Sequence, residues 1–180
     1  YEIHERLVGS EMCIRDSPGA YHDYISVTSF SPDYLPAYYT NYGPGCNISA
    51  PGGDYKISAD AAKTYAEVLS TVPSELSEYN GADYGFMQGT SMACPHVSGV
   101  AALGLSYALE KGKKFTLDEF KTMLLTSVNE IDSRLGEGSK ATIADVSIYR
   151  GKMGTGITDA YQLLMQIEGT PCLQLSLIHI

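Results

Sequence analysis

The stretch Gly89-Thr90-Ser91-Met92-Ala93-Cys94-Pro95-His96-Val97-Ser98-Gly99-Val100-Ala101-Ala102-Leu103 constrains the chain most, because it places one hydroxyl where an apolar helix begins. Tyr84-Gly85-Phe86-Met87 leads in as a short strand-like run, and apolar residues recur at helical spacing from Ser91 to about Leu109. Gly89 permits a sharp turn and close approach by a substrate. Pro95 fits such a helix in its first turn, where a missing N–H costs nothing. The first N–H groups of a helix have no internal partner, so a developing oxyanion in front of them is stabilised. These residues predict a strand, a tight turn and a helix, with Ser91 as nucleophile and its own N–H as one oxyanion donor.

Residue by residue, the segment resembles the nucleophile motif of the subtilisin-like serine proteases, G-T-S-M-A-x-P-H-V-x-G, and fills every fixed position of it. Gly89, Thr90 and Met92 are thereby implied to lie close to substrate. In that position the Met92 thioether borders the reacting atoms, so its oxidation to sulfoxide is expected to impair catalysis. Other landmarks agree in order. Thr40-Asn41-Tyr42-Gly43 and Ala50-Pro51-Gly52 resemble the family's approach to the nucleophile, and Glu67 to Val72 resembles its strand carrying a Ser-Thr pair. Gly154-Thr155-Gly156-Ile157-Thr158-Asp159-Ala160 is similar to the family's turn into the last catalytic-domain helix, and it lacks the third glycine and the acidic partner of a dinucleotide loop.

Local patterning supplies the other elements. Tyr24 to Phe30 reads as a buried strand, Ser31 to Tyr42 as a loop rich in Pro and Tyr, and Asn47 to Ala50 as a short strand stopped by Pro51-Gly52-Gly53. Ser58 to Ala66 has helical composition and is read as an insertion, and Pro73 to Asp83 as a polar surface loop. Thr116-Leu117-Asp118-Glu119 is a capping box, followed by an apolar stripe of Leu117, Phe120, Met123, Leu124 and Val128. A final helix is expected from about Thr158 to Ile167.

The termini carry a different signal. Leu175 to Ile180 can be encoded by CTG TCT CTT ATA CAC ATC, whose reverse complement encodes Met12-Cys13-Ile14-Arg15-Asp16 and opens a Ser codon. That complementarity resembles a transposon end of the kind used to fragment DNA for sequencing, and upstream codons for Leu7 to Glu11 extend the likeness. Residues 1–17 and 175–180 are therefore expected to be translated adapter and are set aside from fold reasoning. Residues 18–174 are expected to be the C-terminal portion of a subtilase catalytic domain.

The chain has 21 acids against 12 bases, a net charge of −9, and trimming the ends leaves it acidic. That composition gives no electrostatic footprint for nucleic acid or anionic membrane. No unbroken apolar run reaches about 18 residues, so no membrane span is expected. A hydrophobic content of 44% is enough to fill a core. Cys46, Cys94 and Cys172 show no metal-binding spacing, and Cys94 is expected to pack as a small buried hydrophobe. The acids Glu75, Glu78 and Asp83 lack the alternation of a calcium loop and read as a solvated face. No cofactor is expected; the resemblance leaves calcium open, with no site identified.

A serine nucleophile needs a base and a carboxylate that orients it. In the family these stand upstream in H-G-T and D-T/S-G contexts, and neither context occurs here. His96 lies five helical residues from Ser91, about 7.5 Å along the axis and about 140° around it, so it points away and is read as a structural residue. His22 stands in no catalytic context. The family's second oxyanion donor, an Asn, also belongs upstream, and no Asn precedes Asn41.

The expected fold is α/β, a subtilisin-like mostly parallel sheet with helices on both faces, incomplete because only its C-terminal portion is present. The resemblance implies a secreted or cell-surface serine endopeptidase with a polypeptide substrate, of which this chain is an inactive fragment. A subtilase-like binding or scaffold domain that has lost its catalytic partners is the alternative. An esterase is disfavoured because Ser91 stands in no G-x-S-x-G elbow.

Overall fold

The computed structural model describes residues 22–57, 66–75, 82–136 and 143–169. The two proposed adapter segments, Cys172 and nearly all of the expected 58–66 insertion lie outside the described residues.

Strands β1 (Val27–Phe30) and β2 (Ile48–Pro51) run parallel, in a register that sets Val27 against Ile48 and Phe30 against Pro51. Strands β3 (Val68–Thr71) and β4 (Tyr84–Met87) form a separate antiparallel ribbon. Helix α1 (Thr90–Glu110) follows, then α2 (Leu117–Thr126), the short strands β5 (Val128–Asn129) and β6 (Ile157–Thr158), and α3 (Ala160–Glu168). The main sheet has the order β1-β2-β6-β5, with β6 parallel to β2 and antiparallel to β5. The fold is α/β with a parallel-rich sheet and helices, as the sequence predicts, but among the described residues α1, α2 and α3 all pack on one face of it and not on both.

Pleating divides the core into two. Successive strand residues face opposite sides of a sheet, so Val27, Ile48 and Ala50 meet Ala93, Val97 and Ala108 of α1, Phe120 and Leu124 of α2, and Leu163 and Ile167 of α3. Phe30 and Ile157 look the other way, into Ile131, Leu135, Val146, Tyr149 and Met153, where 3-10 turns at Asp132–Arg134 and Val146–Tyr149 cover the sheet. Two hydroxyls also point to that second side. Thr28 Oγ1 and Ser49 Oγ lie 2.6 Å apart and 3.0 and 2.8 Å from the Met153 carbonyl, which keeps both polar atoms satisfied in a dry setting.

The capping box at the start of α2 is formed as the residues foretell: the Thr116 hydroxyl accepts from the Glu119 N–H, and the Glu119 carboxylate accepts from the Thr116 N–H at 2.7 Å. The stripe that follows is shorter than expected. Phe120 and Leu124 are buried, Leu117 is exposed, and Val128 belongs to β5, because the helix ends at Ser127 and the chain turns to pair with β6. The last helix starts two residues later than expected, since Thr158 is still in β6 and Asp159 caps α3 by accepting from the Gln162 N–H.

The Gly154-Thr155-Gly156 turn is required sterically. Gly154 has φ +86°, and a Cβ there would lie 2.4 Å from the Asn47 carbonyl carbon; one on Gly156 would lie 2.5 Å from the Asn129 oxygen. The turn threads β6 between β2 and β5 with no room for side chains.

Candidate active site

Ser91 sits in the first turn of α1, exposed, at the point where the β3–β4 ribbon hands the chain to the main body. Gly89 precedes the helix at φ 149°, ψ 163°, a conformation that L side chains rarely adopt. Its carbonyl accepts the Met92 N–H at 2.9 Å and the Ala93 N–H at 3.2 Å. The Thr90 and Ser91 N–H groups have no acceptor among the described residues, so they remain available in front of the helix.

Beside them lies a depression of about 290 Å3 lined by Val68, Leu69 and Ser70 of β3 and by Ser91, Met92, Pro95 and His96 of α1. Three of the four sequence-derived site residues, Gly89, Thr90 and Ser91, thus form one continuous backbone turn, and Met92 adds a half-buried thioether to the same rim. The local geometry presents an accessible hydroxyl, two unbonded amides and a groove.

Two expectations need correction. Pro95 is the sixth residue of α1, past the first turn, so the Ser91 carbonyl lacks the N–H that residue 95 would have offered it. Cys94 is exposed with a free thiol, because Ala93, Val97, Gly104 and Ala108 define the inward face of α1 and residue 94 is turned off it. Cys46, in contrast, is buried and disulfide-bonded. By length and composition α1 is also apolar enough to cross a bilayer. Here one face of it, formed by Ala93, Val97, Gly104 and Ala108, packs against β1, β2 and α3, while Leu103, Leu105 and Leu109 are exposed.

The histidines take structural places. His96 Nδ1 donates to the Met92 carbonyl at 2.7 Å, which fixes the ring to its own helix. His22 is exposed, 3.2 Å from Asp23 and 3.2 Å from Asp118. Among the described residues, no group of three or more His, Cys, Asp or Glu gathers to hold a metal ion.

The subtilase family (Peptidase_S8) matches residues 13–144 of the sequence. The chain belongs to the subtilase family. It is 32% identical over 133 residues to an extracellular basic protease of Dichelobacter nodosus, a match covering 74% of this chain and 20% of that protein. Pyrolysin of Pyrococcus furiosus is 31% identical over 152 residues, 82% of this chain and 10% of the relative. Among solved structures, a protease from Pseudoalteromonas arctica superimposes with a TM-score of 0.59 at 29% identity, over 84% of this chain and 38% of that one. This subtilase chain therefore spans a fifth or less of those two curated relatives. Matching proteins include some named extracellular and some named intracellular proteases.

One part of the subtilase site is absent from the sequence motif. The Gly89 N–H donates at 2.8 Å to the carbonyl of Gly52, at the end of β2, and the Tyr39 hydroxyl lies 2.7 Å from the same carbonyl. Gln88 is held through its side chain by the Tyr55 N–H and the Tyr38 hydroxyl. Burial pushes the Tyr39 phenol up to about 12, against the lowering effect of its contacts with Ser29 and the Gly89 amide. The phenol thus stays protonated across the physiological range. Nothing in the spacing of Tyr38, Tyr39 and Gly89 signals this contact, because 50 residues and a change of sheet separate the partners.

Proposed function

We propose that the whole protein to which this subtilase chain belongs is a serine endopeptidase that cleaves polypeptides through Ser91. The observation that carries the reading is the joint presentation of the Ser91 hydroxyl and the unbonded Thr90 and Ser91 amides at the mouth of one groove. Ser91 Oγ attacks the carbonyl carbon of the scissile peptide, and its proton passes to a base. The carbonyl oxygen becomes an oxyanion in front of the helix, where the Ser91 N–H donates to it. Collapse of the tetrahedral species expels the amine, which takes the proton, and leaves an ester on Ser91. Water then hydrolyses that ester by the same steps in reverse.

His96 is not the base in this reading, because no hydrogen bond joins its ring to the Ser91 hydroxyl among the described residues, although both line the groove and its Nδ1 donates to the Met92 carbonyl. The base, its orienting carboxylate and a second oxyanion donor come from a part of the domain upstream of residue 18. Residues 1–17 and 175–180 are read as adapter-derived. The 180-residue chain alone is then inactive. Its extracellularly named relatives favour a secreted protein, and its acidity disfavours nucleic acid as a partner.

The test compares peptide hydrolysis by the 180-residue chain with that of a longer chain carrying the upstream part, each with and without Ser91→Ala. Hydrolysis only by the longer chain, abolished by the substitution, is expected. Ser91-dependent hydrolysis by the short chain would overturn the assignment of the base upstream. A folded longer chain that cleaves no peptide would favour the scaffold alternative.

A further inference from the structure

Two adjacent tyrosines grip the two residues that lead into α1. The Tyr38 hydroxyl accepts from Gln88 Nε2 at 3.2 Å, while Gln88 Oε1 accepts from the Tyr55 N–H at 2.9 Å. The Tyr39 hydroxyl lies 2.7 Å from the Gly52 carbonyl, 2.6 Å from the Gly53 carbonyl and 2.9 Å from Ser29 Oγ. A phenol has one proton to give and lone pairs to receive. Its proton is therefore shared between the two carbonyls, and the Ser29 hydroxyl donates to the phenol oxygen.

The Gly52 carbonyl also receives the Gly89 N–H, at 2.8 Å. One carbonyl oxygen thus joins the phenol to the backbone turn that precedes Ser91. The junction has no slack, since a Cβ on Gly52 would lie 2.0 Å from Ser29 Oγ and 2.7 Å from the Gly89 oxygen. Turning the peptide that carries the Gly89 N–H would break its hydrogen bond to the Gly52 carbonyl.

We propose that Tyr39 is a positioning residue for Ser91, acting through the Gly52 carbonyl to fix the Gly89 peptide and hence the direction of the Thr90 and Ser91 amides. The inference rests on the reading of Ser91 as the nucleophile. Tyr39 touches neither the groove nor the reacting atoms. Its hydroxyl proton sets where the oxyanion donors point, and its ring supplies only packing.

Removing that proton while keeping the ring separates the two roles. In the 180-residue chain, Tyr39→Phe is expected to speed hydrogen exchange of the Gly89 amide by about tenfold, the loss of one net hydrogen bond, with the amides of Phe30, Ile48 and Leu163 changing less than about twofold. Unchanged Gly89 exchange, or uniform acceleration of all these amides, would overturn the proposal. If Tyr39→Phe does not fold, the wild-type chain decides: a slowly exchanging Tyr39 hydroxyl proton with a nuclear Overhauser contact to the Gly89 amide supports the lock, and its absence refutes it. In the longer chain, Tyr39→Phe should lower kcat by about tenfold with little change in KM, because the donors are misdirected in the transition state. Exchange needs no hydrolysis. A local exchange effect in a longer chain that never hydrolyses peptides would therefore leave the lock standing and remove Ser91 as its beneficiary, overturning the positioning role.

Discussion

Leu163 of α3 fills the space that a side chain on Gly104 of α1 would need: a Cβ at residue 104 would lie 2.7 Å from Leu163 Cδ2 and 3.2 Å from Phe120 Cζ. The two helices approach this closely because one of them carries only hydrogen at the crossing. Leu163 is fully buried, so Leu163→Ala should cost about 2–5 kcal/mol in urea unfolding. Adding Gly104→Ala to that variant should return part of the loss, since the new methyl enters the vacated space and alanine favours the helix by about 1 kcal/mol. Strict additivity of the two changes would refute the contact.

Gly154 and Gly151 both have positive φ, yet they should respond differently to alanine. At Gly151, with φ +67°, an added Cβ meets nothing, and the cost should be about 1 kcal/mol of backbone strain. At Gly154 it would press on the backbone of Asn47 and Ile48 at 2.4 Å. There the loss should reach about 2–4 kcal/mol in the same measurement, with β2 and β6 forced apart.

The α2 capping box gives a pH signature. The Thr116 N–H, and then its hydroxyl, hold the Glu119 carboxyl below its ordinary value. A folded-state pKa lowered in this way contributes stability that is present above the unfolded value and lost as pH falls through the folded one. The stability advantage of wild type over Glu119→Gln should accordingly fade on acidification through that range in thermal melts. Thr116→Ala should cost about 1 kcal/mol at neutral pH. An advantage that grows on acidification would contradict the geometry.

Met92 shares the groove rim with Ser91. Peroxide treatment of an active longer chain should convert it to the sulfoxide and lower the rate of peptide cleavage, whereas Met92→Leu should keep most of its rate after the same treatment. Equal losses in both proteins would place the sensitive group elsewhere.

What the residues disclosed depended on the range of the interaction. The Thr116 capping box, the Tyr84–Met87 strand and the glycine turn at residues 154–156 are written in neighbouring positions, and the structure has each of them. The inward face of α1 was hidden because apolar residues surround that helix: Cys94 and Leu103 are as suited to a core as Ala93 and Val97, and only the position of β1 and β2 chooses between them. Val128 continues the spacing of α2, yet pairing with Thr158 takes it into β5. The Tyr39 contact was equally hidden, since a tyrosine in a loop rich in Pro and Tyr carries no mark of the carbonyl it will meet. The nucleophile segment was legible because its chemistry is local, and its support was not.

The strand order also sets a timetable for synthesis. Among the described residues the last strand, β6, lies between β2 and β5, and the bonds that bring it there join Thr155 to Asn47 across 108 residues. While the ribosome is still making α1 and α2, β2 has one side open and its hydrogen-bonding groups facing water. Such distant closure is slow, and it leaves an unpaired edge available to other nascent chains.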